Sequence, residues 1–424
     1  MDTDRFSFLT FHRPKIQPPI DSNSVRNFDP DTIRNDAEST RIVVHRRFPA
    51  LVEAFLAHKR SRGSPHERAL YGTPATFTWQ HEVARLIQRR PFVFMGVNDF
   101  TVLRDGAQLP EAAGEWDRNG TERQHLNAWL TLEDYLSYDE IMLGSLIGVS
   151  GPSYFINDGG RYNRGQVGRR GTYEERGVVV GLVGARFERL DQMDSVHILN
   201  GGGMEPKMHP ELSRIFQEEF LGVKKDRDVE FDARMYHERI RVTAEMLLLE
   251  ANARAKVAGK MACTYVVGLG LGVWQYHGYS KQPEDYVDAF AAAVGELDLS
   301  HVGVVEFAYV NVPVECQERV RAATRRSNPH VEIVFSRRNP AAKLPQAEHS
   351  RASRAEAEKM DDGFLLVLSY AWDGNAFPGN EYWFGSLAGS GDPAAACMST
   401  IGELHNPLVN EAFLEKIEVL GGHE

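Results

Sequence analysis

Apolar residues recur along this chain in two rhythms. Between positions 39 and 90 they fall at three- and four-residue intervals, Phe48, Leu51, Val52, Phe55 and Leu56 first, then Val83, Leu86 and Ile87, which predicts amphipathic helices. Trp129, Leu132, Tyr135, Leu136, Ile141, Met142 and Leu146 predict two further helical segments over 126–150. Beyond that point the rhythm changes. Apolar runs at 178–185, 262–267, 302–310, 331–336 and 364–368 are bounded by turn formers, the mark of strands buried on both faces. Helical stretches separate them at 210–220, at 232–258 with Ile240, Met246, Leu247 and Leu248 inside, and at 284–297 behind Pro283. This alternation predicts an α/β fold, a largely parallel mixed sheet flanked by helices, with an N-terminal helical extension. The chain then divides into a loosely ordered arm (1–40, rich in Pro, Asp, Asn and Arg), a helical region (41–150) and a main domain (151–424), with a polar linker over 337–359.

Composition narrows the function classes. Of 424 residues, 42% are hydrophobic and 25% charged, ordinary for a globular protein, and no apolar run reaches membrane-spanning length. The first residues lack the basic and apolar segments of a secretory leader, so a cytoplasmic protein is expected, with no membrane partner. Cys263, Cys316 and Cys397 are too few and too scattered for a disulfide framework or a metal site, and read as small buried hydrophobes. A net charge of −11 argues against nucleic acid as a partner. It leaves room for a small anion held by backbone amides.

Three stretches carry chemistry. The run 364–368 delivers the chain to a segment, 371–396, in which Asp373, Glu381 and Asp392 sit among Trp372, Phe377, Tyr382 and Trp383. Carboxylates are costly in apolar surroundings unless paired or functional, so this is the composition of a ligand cleft at the carboxyl end of a strand. Asn375, Asn380 and Trp383 are its candidate ligand contacts. A plainer reading makes Asp373 a turn cap and Asp392 a helix cap. The second stretch is the strand after the long helix, which ends in Gly268, Gly270, Leu271, Gly272, Val273 and Trp274. Its Gly-x-Gly-x-Gly spacing is neither a dinucleotide fingerprint nor a P-loop, and suits either a backbone nest for an anion or a tight structural turn. The third is the loop over 157–163, whose Asn157 and Arg161 suit hydrogen bonding to a sugar or base, or a simple turn.

A glycine-rich loop after a strand, then a helix and a strand, resembles the later half of a macrodomain, in which such a loop wraps the diphosphate of ADP-ribose. Trp372-Asp373-Gly374-Asn375, Gly379-Asn380-Glu381-Tyr382-Trp383 and Gly389-Ser390-Gly391-Asp392-Pro393 resemble the macrodomain-type ADP-ribosyl hydrolases of the kind found in the bacterial effector MavL. The resemblance covers roughly 150–415. It implies a macrodomain-like fold, ADP-ribose as ligand and product with no further cofactor, and Asp373, Glu381 and Asp392 as catalytic acids, with Glu381 where Asp is expected. It further implies an ADP-ribosylated protein as substrate, modified on arginine, with ubiquitin among the partners to consider. Two other functions stay open: a reader that binds ADP-ribose without cleaving it, and another nucleotide or sugar hydrolase on the same fold. Gly201, Gly202 and Gly203, followed by Gln217, Glu218 and Glu219, are superficially similar to poly(ADP-ribose) glycohydrolases, but their spacing is too long and no catalytic role is assigned to them.

Overall fold

In the computed structural model, which describes residues 3–9, 16–200, 206–344, 363–389 and 391–421, eleven strands form two sheets. They are β1 (Arg41–His45), β2 (Val93–Met95), β3 (Phe100–Val102), β4 (Gln108–Leu109), β5 (Ile147–Tyr154), β6 (Arg176–Leu182), β7 (Met261–Val266), β8 (Val302–Ala308), β9 (Glu332–Ser336), β10 (Phe364–Ala371) and β11 (Ile417–Leu420). The main sheet runs β11-β1-β5-β6-β10-β7-β8-β9, and β2, β3 and β4 form a small antiparallel sheet of their own. Only β5 is reversed in the main sheet: it pairs antiparallel with β1 and β6, and every other pairing is parallel. The apolar runs read from the sequence are therefore the central strands, with Val179, Val180, Val266 and Val367 fully buried.

Strand β10 lies between β6 and β7, parallel to both, with Val367 opposite Val178 on one side and Thr264 on the other. Three consecutive parallel strands thus release their carboxyl-terminal loops at one edge of the sheet, the place where open α/β sheets hold ligands. The long helix Ala233–Ala258 backs the sheet, opened by Asp232, whose carboxylate accepts from Arg234 N and Met235 N, and closed by Gly259 at φ 64°. It buries Met235, Ile240 and Leu247.

The N-terminal third departs from the expectation of a loose arm and an all-helical region. Helices Phe48–Arg62, Pro65–Tyr71 and Trp79–Gln88 form as predicted. However, Ile42, Val43 and Val44 make β1, set between β11 and β5, a run too short to stand out from its helical surroundings. The expected helix toward 150 ends at Gly144, and the chain extends at once into β5. Within 16–40, Pro30–Ser39 is a helix capped by Asp29, and Val25, Ile33 and Ala37 pack with Leu404 and Val409 in a second small core. Arg176 grips Asp36 with two 2.7 Å bonds, tying this helix to β6. Helix Pro210–Arg214 widens into a π-helical segment, Ile215–Leu221, ended by Gly222 at φ 75°. Gly201, Gly202, Gly203 and most of the linker over 337–359 lie outside the described residues. The three cysteines are buried and unpaired, and no helix of the described residues is long and apolar enough to cross a membrane.

Candidate functional site

The loop leaving β10 folds around one side chain, Asn380. Its backbone N–H donates to Asp392 Oδ2 at 3.0 Å and its Nδ2 to Asp373 Oδ2 at 2.6 Å. The other Asp373 oxygen accepts from Asn375 N at 2.9 Å and Ala376 N at 3.3 Å, an aspartate-closed turn. Asp373 and Asp392 are thus buried and drawn together, and Glu381, one residue along from Asn380, is half-buried. The structure brings the three acids into one cluster. Asp392 opens the helix Asp392–Met398 as its first residue, behind Gly391 at φ 72°, and its carboxylate accepts from Asn380 N, the first residue of the helix Asn380–Trp383.

The N-terminal region clamps this loop. Phe94 of β2 donates its N–H to Asn380 Oδ1 at 2.8 Å and accepts from Asn380 Nδ2 at 3.2 Å. Arg90, fully buried, lies 4.1 Å from the Trp372 ring and donates to the Gly374 carbonyl. Phe377 N donates to Pro91 O at 3.0 Å. The region expected to be a helical appendage is therefore one wall of the site.

Burial dominates the electrostatics. It pushes the Asp392 carboxyl well above the usual carboxylate range, helped by the charge of Asp373 and opposed by the backbone N–H groups of Asn380 and Gly379. Asp373 is also raised by burial, but the Arg186 guanidinium, two backbone N–H groups and Arg90 pull it back. Glu381 is raised by burial and by the charge of Asp373. Crowded carboxyls of this kind share protons, so one remains ionised while another stays neutral at the same pH.

The glycine loop approaches from β7. A side chain at Gly184 would lie 2.2 Å from Leu269 O, and one at Gly270, which has φ +79°, would lie 2.4 Å from Ala185 O, so both glycines are required by close backbone contact. Gly268 is tight only against Leu271, whereas a side chain at Gly272 meets nothing within 4 Å. Val273 is 92% exposed. Trp274 accepts through its carbonyl from Phe187 N at 3.2 Å, and its ring lies 4.4 Å from the Arg186 guanidinium. Arg186 in turn donates to the Asp373 carbonyl at 2.9 Å and to Asn375 Oδ1, joining the glycine loop to the acids.

Other residues singled out in the sequence have mainly architectural partners. Asn157 spends its side chain on its own turn, accepting from Gly159 N and donating to Gln166 O. Arg161 is exposed, but its carbonyl accepts from Gly389 N at 3.0 Å, which seats this loop against the acid loop. Trp383 is 4% exposed, donates to Pro378 O and packs against Phe92, so its ring is buried in the core. Arg186 and Glu188 went unnoticed in the sequence, where the only signal was an arginine just past a buried strand. Surface cavities of about 780 and 330 Å³ open elsewhere, one beside Lys224 and His237, the other between His58, Asp117 and His209, and the three acids line neither.

The sheet edge thus carries clustered acids beside a glycine loop, and the chain belongs to the MavL-like ADP-ribosylhydrolase family, matched over residues 12–201 and 206–419. Two relatives from Drosophila melanogaster are similar over nearly the full length. ADP-ribosylarginine hydrolase CG3568 is 34% identical, the match covering 98% of this chain and 84% of the relative. ADP-ribosylarginine hydrolase CG2909 is 32% identical, with 90% and 78% covered.

Proposed function

We propose that this protein hydrolyses the bond between ADP-ribose and an arginine side chain of a modified protein. The observation that carries the reading is the convergence of Asp373, Glu381 and Asp392 around Asn380, beside the glycine loop. In the reaction the anomeric carbon–nitrogen bond breaks, water adds its oxygen to that carbon, and a proton goes to the departing guanidine nitrogen. The carbon passes through an oxocarbenium-like state. Asp373, held by three N–H donors and faced by Arg186, is the acid best suited to stay ionised and stabilise that positive charge. Glu381 is half-buried and its carboxylate accepts no hydrogen bond from a described residue, which leaves it free to pass protons between water and the leaving nitrogen. Asp392, whose protonated form burial favours, accepts from Asn380 N and so orients it. Incubation with an arginine-ADP-ribosylated protein should release free ADP-ribose, detected by mass spectrometry; an intact conjugate after prolonged incubation would refute the reading.

The glycine loop supplies a separate test. Gly272→Val should leave the melting temperature of the free protein unchanged, because its side chain has space, yet abolish most of the stabilisation by ADP-ribose, which follows RT ln(1 + [L]/Kd). Gly270→Val, by contrast, should destabilise the fold itself through Ala185. Equal ADP-ribose shifts in wild type and Gly272→Val would take the loop away from the diphosphate.

Three finer readings accompany this one. A macrodomain-like core is supported by parallel strands whose glycine and acid loops share one edge. A cytoplasmic setting is supported by three unpaired buried cysteines. Ubiquitin as the modified partner is supported by the family likeness to MavL, and arginine-ADP-ribosylated ubiquitin in the same release assay tests it.

A further inference from the structure

Arg186 offers five N–H groups, and its two edges are used differently. The Nη1 pair is taken by the Asp373 carbonyl at 2.9 Å and by Asn375 Oδ1. On the opposite edge Nε is buried and has no acceptor among the described residues, while Nη2 reaches Glu188 Oε2 at a long 3.4 Å. The side chain is only 4% exposed, so this open edge is not satisfied by bulk water. The Nε/Nη2 edge is the one that grips an oxyanion through two parallel bonds. Its plane is fixed by stacking on Trp274 at 4.4 Å, and its backbone by the bond from Arg186 N to Asp194 Oδ2 at 2.9 Å. A preorganised, half-empty fork therefore sits where the glycine loop meets the acid loop.

Glu188 is a poor permanent partner for that fork. Burial raises its carboxyl, and the charges of Asp99 and Asp373 raise it further against the pull of Arg186. We propose that the Nε/Nη2 edge of Arg186 binds one phosphate of the ADP-ribose diphosphate, with Glu188 as the weak anion that gives way when the ligand arrives. This rests on the hydrolase reading above and adds to it a cationic contact for the diphosphate, where the glycine loop supplies only backbone. The same guanidinium holds the Asp373 carbonyl, so phosphate binding and the placement of the acid are coupled.

Titration calorimetry with ADP-ribose, and with adenosine as a ligand lacking phosphate, tests the assignment. Arg186→Lys keeps the charge but loses the fork, and should weaken ADP-ribose binding at least tenfold while leaving adenosine affinity unchanged. Glu188→Gln removes the competing anion and should tighten ADP-ribose binding several-fold. Unchanged ADP-ribose affinity in Arg186→Lys, or equal losses for ADP-ribose and adenosine, would overturn the phosphate contact. Should Arg186→Lys fail to fold, Glu188→Gln decides: tighter binding supports the proposal, and unchanged or weaker binding refutes it. A wild-type protein that binds no ADP-ribose would overturn the hydrolase reading and this contact together, whereas normal wild-type binding with indifferent variants removes the contact alone.

Discussion

Glu381→Gln should lower the rate of ADP-ribose release by roughly two or more orders of magnitude, the usual scale for a lost acid–base group, while ADP-ribose still binds. The substitution keeps the shape of the side chain. It removes only the ability to carry a proton and a charge, and Glu381 receives no hydrogen bond from a described residue that the change would break. Stability should rise slightly if it moves at all, because the carboxyl is pushed up by burial and by Asp373, so its charged form is disfavoured in the native state. A protein that only reads ADP-ribose would show altered affinity and no turnover to lose. Single-turnover release from an arginine-ADP-ribosylated protein, beside calorimetric binding of ADP-ribose, separates these outcomes. Wild-type turnover in Glu381→Gln would sink the mechanism.

The acids were legible in the sequence because their setting is anomalous: three carboxylates among tryptophans, in a segment that follows an uninterrupted apolar strand, report on their own surroundings. The central strands were legible for a similar reason, since β6, β7 and β10 are buried on both faces and so are written as continuous apolar runs. What could not be read is whatever depends on partners far along the chain. Phe94 meets Asn380 across 286 positions and Arg90 meets Gly374 across 284, and nothing local to either residue announces it. β1 is recognisable as a strand only once β11 and β5 lie on either side of it. Arg186 looks like any arginine after a strand until Trp274 and Asp373 are brought to it. The glycine loop was read as either an anion nest or a tight turn, and its residues differ: Gly270 fits closely against Ala185, whereas Gly272 has open space around it. The surroundings of Trp383 were equally hidden: a tryptophan in a loop gives no sign of the Phe92 ring that packs against it.

Asp392→Asn should make the protein more stable at neutral pH and less active. Burial and the neighbouring charges of Asp373 and Glu381 raise the folded-state pKa of Asp392 well above its ordinary value of 3.8. For an acid raised in this way the native state binds the proton more tightly than the unfolded chain, so its favourable contribution is complete below about 3.8 and is lost as pH climbs through the folded-state value. Asparagine resembles the protonated form and keeps an oxygen for the Asn380 N–H bond, now at every pH. The melting temperature of the variant should therefore exceed that of wild type by at least ~1 °C at pH 7, on the scale of ~1 kcal/mol in a protein of this size. The gap should close as pH is lowered toward 4. Activity moves the other way, since the variant cannot share a proton with Asp373 and Glu381, and its rate should lose the dependence on pH that the coupled acids impose. Sites built for chemistry commonly hold such destabilising groups, and removing one gains stability at the expense of function. Melting curves at pH 4 and pH 7 with release rates across the same range decide the matter. A variant less stable than wild type at pH 7 would mean that Asp392 is ionised and held by its hydrogen bonds, a structural cap after all.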